Sequence, residues 1–259
     1  MVSTTITLDA LTSLASNLDA SSVHEIRKLT KQIRACLVLQ RALGADHPDN
    51  KKLYRSVKKL AHMLCPQRDR TVMYAALGAM AEESSDQPDL VSLLNSLRDR
   101  LGSAPLSAHE VRRVQALVRE ITASTPESLC STIDDSSLDS YLNASLAELR
   151  RSGPALLAGD DFDALHTWRK RVKNLMYQLQ LKASPDANDL QIVEELEQLG
   201  SCLGKVNDMH MLKETLLQSI KAEKMTERQA ALMPILDLID GRLGQELVNS
   251  RVAFDRLAS

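Results

Sequence analysis

The sequence predicts an all-α protein, and three observations carry that prediction. Aromatic residues make up 3% of the 259 positions and glycine only 9 of them, while apolar residues reach 44%. That balance suits helices packed through Leu, Ala, Val and Met, and disfavours a large β-sandwich or an aromatic base-stacking platform. No stretch sustains the period-2 alternation of a half-buried strand. Several of the 8 prolines fall at the edges of helix-like text, where a missing N–H does least damage.

The elements follow in order. Residues 1–20 form a polar lead-in with one weak helical turn. Ser22-x-x-Glu25 has the form of a capping box opening a long helix that runs to about Gly44. His47-Pro48-Asp49 separates it from a helix over roughly 49–64. Cys65-Pro66-Gln67 breaks that helix, which resumes from Asp69 to about Glu83. A helix over roughly 88–102 follows Asp86-Gln87-Pro88, and Ser107-x-x-Glu110 is a second capping box for a helix to about Thr122. The Ser/Thr/Asp-rich segment from Ala123 to Ser137 is the best linker candidate. Beyond it, helices are predicted near 138–151, 161–183, 187–202, 207–224 and 227–257, with Pro234 kinking or dividing the last.

Two segments 142 residues apart repeat one pattern: His24-x-x-Arg27-Lys28-x-x-Lys31 and His166-x-x-Arg169-Lys170-x-x-Lys173. Spacing of i, i+3, i+4 and i+7 places each set on one helix face, within an arc of roughly 100°. A second pair follows in the same order. Arg68-Asp69 lies 45 residues after His24 to its Asp, and Asn207-Asp208 lies 42 residues after His166 to its Asp. Two ordered motifs at near-equal spacing indicate an internal duplication. It divides the chain into a lead-in (1–20), a first helical repeat (21–123), a linker (124–137) and a second repeat (138–259). Asp69 and Asp208 each stand where a helix N-cap is expected, or would orient a basic side chain.

Net charge is −2, but it is segregated: residues 21–75 carry 12 Lys/Arg against 4 Asp/Glu, and residues 76–135 carry 5 against 10. Around the first motif the candidate cations are Arg27, Lys28, Lys31 and Arg34, then Lys51, Lys52, Arg55, Lys58 and Lys59 on the next helix, and Arg68 at its end. The second copy offers Arg169, Lys170, Lys173 and Lys205, with Tyr177 one turn further along the same face. Its neighbouring helix carries Glu194, Glu195 and Glu197, so the site is expected to lean toward the first repeat. Carboxylates that would lace such faces at i+4 are largely missing. A mixture of planar Arg forks and mobile Lys charges suits an irregular phosphate chain. His24 and His166 share a repeat position, so a common role is expected, either donating to phosphate or holding an inter-helix contact.

Other chemistry lacks its signatures. Walker, dinucleotide and nucleophile-elbow motifs are absent, as are His-Glu-x-x-His and paired Glu-x-x-His metal patterns. No catalytic residues, metal or cofactor are therefore expected. Four cysteines at 36, 65, 130 and 202 form no C-x-x-C pair, and reduced thiols in a cytoplasmic protein are the expectation. The N-terminal text has no signal-peptide form, and no apolar run reaches the ~20 residues of a membrane span.

With the motifs in place, the chain resembles the CHAD family, the histidine-bearing α-helical domain associated with inorganic polyphosphate. The carriers are His24-x-x-Arg27-x-x-x-Lys31-x-x-Arg34 with Arg68-Asp69, and His166-x-x-Arg169-Lys170-x-x-Lys173-x-x-x-Tyr177 with Asn207-Asp208, over about residues 15–257. The resemblance implies two pseudo-symmetric four-helix units in one elongated bundle. It also implies a basic channel or groove for polyphosphate, binding without catalysis, and association with polyphosphate granules. Some relatives carry a triphosphate tunnel domain, whose Glu-x-Glu-x-Lys signature is absent here. Thr30, Gln32, Asn174 and Met176 make both basic runs thinner than the family pattern. The alternative is a helical scaffold that binds a protein partner.

Overall fold

The computed structural model describes residues 8–45, 47–102, 106–125, 135–182, 184–223 and 226–259. Among these the chain is all-α. Its elements are α1 (Leu8–Ser16), α2 (Ala20–Ala42), α3 (Asn50–Met63), α4 (Cys65–Glu83), α5 (Pro88–Leu101), α6 (Ala108–Ser124), α7 (Asp135–Ala158), α8 (Phe162–Leu179), α9 (Ala187–Glu223) and α10 (Thr226–Ala258).

Helical spacing of apolar residues builds the core. In α3, Leu53, Val57 and Leu60 recur along one stripe, all at 0–1% exposure, and Leu64 completes the row. Each fully buried Leu of this kind contributes about 1.5–3 kcal/mol. α2 buries Val23, Ile26, Thr30 and Ile33 on one stripe, then Ala35, Cys36 and Leu39 as well. The wider burial of its second half follows from two neighbours, α3 and α8.

α1, α2, α3 and α6 contact one another in a closed ring, and α7, α8, α9 and α10 do the same. The α4–α5 pair bridges them, α4 against α9 and α5 against α10, while α2 packs directly on α8. Gln178, buried on α8, donates to the Ala35 carbonyl of α2 at 3.2 Å. In the second ring, Lys182 joins Asp189 of α9 at 2.6 Å and Asp139 of α7 at 2.8 Å. Arg150 and Arg251 staple α7 to α10 through the carbonyls of Leu257 and Leu157.

Several local expectations are corrected. The lead-in contains a packed helix, because Leu11 and Ala15 of α1 are buried against α2 and α6. Ser22 does not cap α2. Asp19 does, accepting from the Ser22 N–H at 2.7 Å, one turn earlier than the sequence indicated. The predicted box at Ser107 and Glu110 is present on α6. Asp69 and Asp208 cap nothing. α4 already begins at Cys65, with Pro66 in its first turn, and α9 runs unbroken through Asn207-Asp208. Pro234 does not divide α10, and α7 continues through Pro154. The linker expectation over 126–134 lies outside the described residues. The expectation of four reduced thiols fails at Cys36, which is disulfide-bonded. Cys65 and Cys202 are free.

Candidate anion-binding site

The two basic rows meet where α2 crosses α8 and the start of α4 meets the middle of α9. Arg27 and Lys31 of α2, Arg68 of α4, and Arg169 and Lys173 of α8 converge there. Lys31 records the convergence. Its burial and the charges of Arg169, Arg27, Arg68 and Lys173 pull its ammonium down to about 8. A half-buried lysine surrounded by four cations from three helices is electrostatically uphill.

Asp208 is the main carboxylate in the cluster. It receives both terminal nitrogens of Arg68, at 2.9 and 3.2 Å, and Asp69 takes a further bond from Arg68 at 3.2 Å. The fork-to-carboxylate pair joins α4 to α9 and fixes the Arg68 plane. Burial opposes the Arg68 charge, and Asp208 and Asp69 together more than offset it, so its pKa rises. Of the two roles open to the aspartates, orienting a basic side chain is the one observed for both.

Arg27 and Arg169 occupy the same motif position but are held differently. Arg27 donates to the Ala61 carbonyl at 2.9 Å and to the Cys65 sulfur at 3.0 Å. It thus caps the negative end of α3. Arg169 is lowered by burial, and its Nε is buried without a hydrogen-bond partner. Lys173 is likewise lowered by burial, with Glu197 opposing the effect and Arg169 adding to it. Its Nζ contacts the Met176 sulfur at 3.2 Å and stands 5.6 Å from the Tyr177 ring centre. Tyr177 is 6% exposed, and burial followed by Glu197 raises its hydroxyl pKa.

Two glycines make room for the second row. A Cβ at Gly200 would fall 2.5 Å from Lys173 Cδ, and one at Gly204 would fall 3.0 Å from Arg169 Nη2. The basic side chains therefore lie directly on the α9 backbone. Counting back from Asp69 and Asp208, Gly200 and Gly204 match Ala61 and Cys65, the two residues that hold Arg27. Charge counting missed these glycines. The available signal was two glycines four apart in helical text, in frame with the repeat.

The remaining candidates lie outside the cluster. His24 is exposed, whereas His166 is half-buried with its Nδ1 unpartnered, so the two histidines stand in different surroundings. Lys28 is exposed at the rim, 4.0 Å from Glu25, and its charge reaches Lys173. Lys51, Lys52, Arg55, Lys58 and Lys59 are exposed on α3, and none pairs with a carboxylate among the described residues. At about 100° per residue, Lys58 and Lys51 flank the side of α3 that touches α2. Lys52 and Lys59 face the side where Ser56 bonds Glu120 of α6. Arg34 and Lys170 line a different cleft, described below. Lys205 turns to α10 and pairs with Glu246 at 3.2 Å. The expected lean toward the first repeat is accordingly reduced: the half-buried cluster takes Arg27, Lys31 and Arg68 from one half and Arg169 and Lys173 from the other.

Among the described residues no group of three or more His, Cys, Asp or Glu side chains could hold a metal ion, and no helix is long and apolar enough to cross a membrane. A family model described as CHAD domain matches residues 7–217, and the chain belongs to that family. No curated protein and no solved structure matches it.

Proposed function

We propose that this CHAD-family chain binds inorganic polyphosphate, without catalysis, in a basic groove between its two helical halves. The observation that carries the proposal is Lys31: four cations from α2, α4 and α8 are gathered around a half-buried ammonium, and Asp208 and Asp69 both go to Arg68. A fold tolerates such self-repulsion where a polyanion relieves it. A linear phosphate chain supplies about one charge per unit, and would exchange its counterions for Arg27, Lys31, Arg68, Arg169 and Lys173. Lys28, Lys51 and Lys58 would extend the contact at the rim. The halves 21–123 and 138–259 then act as two pseudo-symmetric units sharing one site, and granule association would follow from polyphosphate affinity alone.

Titration calorimetry with a long-chain polyphosphate tests this. Neutralising about five phosphates gives a log–log salt slope of roughly −3 to −4. Binding should therefore fall about a thousandfold over a decade of salt, and orthophosphate should bind weakly. Replacing Arg27, Lys31, Arg169 and Lys173 together with Gln should abolish it. No heat with long chains at low salt, in a protein that remains helical, would sink the proposal. A protein partner that is still recovered by the quadruple variant would favour the scaffold alternative.

A further inference from the structure

A second cleft lies on the other flank of α8. Thr167, Arg171 and Asn174 sit about 100° around that helix from the row His166, Arg169, Lys173, Tyr177. With Tyr141, Ser145 and Leu149 of α7, and Arg34 and Val38 of α2, they line an open cleft of about 400 Å³. That volume falls within the range of small-molecule sites.

The lining is of two kinds. Val38, Leu149, Leu175 and the Tyr141 ring form an apolar wall, and the hydroxyls of Ser145 and Thr167 and the Asn174 amide provide polar points. Three cations and one carboxylate face the space. Arg171 and Glu148 neutralise each other at 2.9 Å. That leaves Arg34 and Lys170, neither of which pairs with a carboxylate among the described residues. Arg34 lies 5.6 Å from the ring centre of Tyr54 on α3, and its Nε is buried with no hydrogen-bond partner. A desolvated donor in that state is unsatisfied until an acceptor reaches it. Bare phosphate chains have no use for an apolar wall. A flat apolar body bearing one dianionic group uses all of it.

The geometry points to a second binding site, lined by Arg34, Lys170, Thr167, Asn174, Tyr141 and Leu149, for a small organic phosphate monoester with a planar apolar body. Arg34 and Lys170 would take the phosphate oxygens, one as a fork and the other as a point charge, with Thr167 and Asn174 completing the shell. The planar group would lie against Tyr141, Leu149 and Leu175. The site is separate from the polyphosphate groove, and its existence does not depend on that reading.

Calorimetry on the full chain with adenosine monophosphate and with 1-naphthyl phosphate tests the assignment. At least one of them should bind tenfold or more tighter than both inorganic phosphate and its own dephosphorylated form. Lys170→Gln, an exposed change that leaves the core alone, should weaken it at least fivefold, and Arg34→Gln should do the same in protein whose helicity is unchanged. Arg27→Gln with Lys173→Gln should leave it within twofold, although the same pair should weaken polyphosphate. The assignment is overturned if neither monoester binds, if inorganic phosphate binds as well as they do, or if the Arg27/Lys173 variant loses them along with polyphosphate.

Discussion

The two copies of the His-x-x-Arg-Lys-x-x-Lys row share their letters but not their support. On α2, Arg27 spends its donors on the Ala61 carbonyl and the Cys65 sulfur. On α8, Arg169 lies over Gly204, which offers no side chain, and keeps a buried Nε without a partner. The difference comes from the neighbouring helix. The first copy faces a break between α3 and α4, whose loose carbonyls and thiol can accept. The second faces the unbroken middle of α9, whose carbonyls are already used within the helix. One arginine is therefore tied into the fold, and the other keeps a buried donor unpaired.

The largest expected effect separates those two arginines. Arg169→Gln should weaken polyphosphate binding about 10–100-fold, the worth of roughly 1.5–3 kcal/mol of charge-assisted hydrogen bonding, with little change in thermal stability. Arg27→Gln should weaken binding less and lower stability by about 1–2 kcal/mol, since the Ala61 carbonyl loses its charged donor and keeps only the Cys65 thiol. Paired calorimetry and thermal denaturation check both. Equal effects on both readouts would erase the distinction between the copies.

Next in size is pH. Lys31 is pulled down to about 8 by burial and by Arg169, Arg27, Arg68 and Lys173. A bound anion counters all of these and raises its pKa. Affinity should then drop by up to about tenfold per pH unit above 8, with proton uptake on binding. The free protein moves the other way. Its unfolded Lys31 still holds a proton between about 8 and the ordinary 10.5, so folding stability rises across that window. Lys31→Met should remove both dependences. Titrations in buffers of different ionisation enthalpy, compared between wild type and variant, measure the proton.

A smaller effect comes from the glycines. Gly200→Ala places a methyl 2.5 Å from Lys173 Cδ, so Lys173 must leave its place on α9. Polyphosphate affinity should fall about fivefold with no change in formal charge. Ala61→Gly, the matching position of the first copy, removes a methyl from a helix and should cost about 1 kcal/mol of stability while sparing affinity. An affinity loss at Ala61 as large as that at Gly200 would restore the symmetry that the packing denies.

The helical text and the faces that carry Arg27, Lys31, Arg68, Arg169 and Lys173 were legible in the sequence, because residue type and spacing determine which face a side chain occupies. What a face meets is a tertiary matter. Nothing local told that Lys205 would turn to Glu246, or that Arg34 and Lys170 would leave the row for another cleft. Asp208 looked like a cap because Asn-Asp favours one, yet α9 packing against α8 and α10 carries the helix through it. The exposed α3 lysines inflated the first copy for a similar reason: a charge count weighs a rim residue and a buried one alike.

The histidines provide the finest test of the comparison. Burial lowers the pKa of His166, Lys170 and Arg169 add to the effect, and Asp163 and Asp208 partly oppose it. Its ring is therefore predominantly neutral at pH 7. Its neighbours from α9 are Asn207 and His210, the latter stacked on Phe162 at 4.4 Å. A polyanion arriving at Arg169 adds negative potential and draws a proton onto His166, so this residue should strengthen binding as pH falls below its ordinary range. His24 stands in solvent, where the same anion is screened. His166→Ala should accordingly cost about twofold in affinity near pH 6 and nothing near pH 8, while His24→Ala should be silent at both. A matched loss in the two variants would show that the histidines answer to their shared motif rather than to their different surroundings.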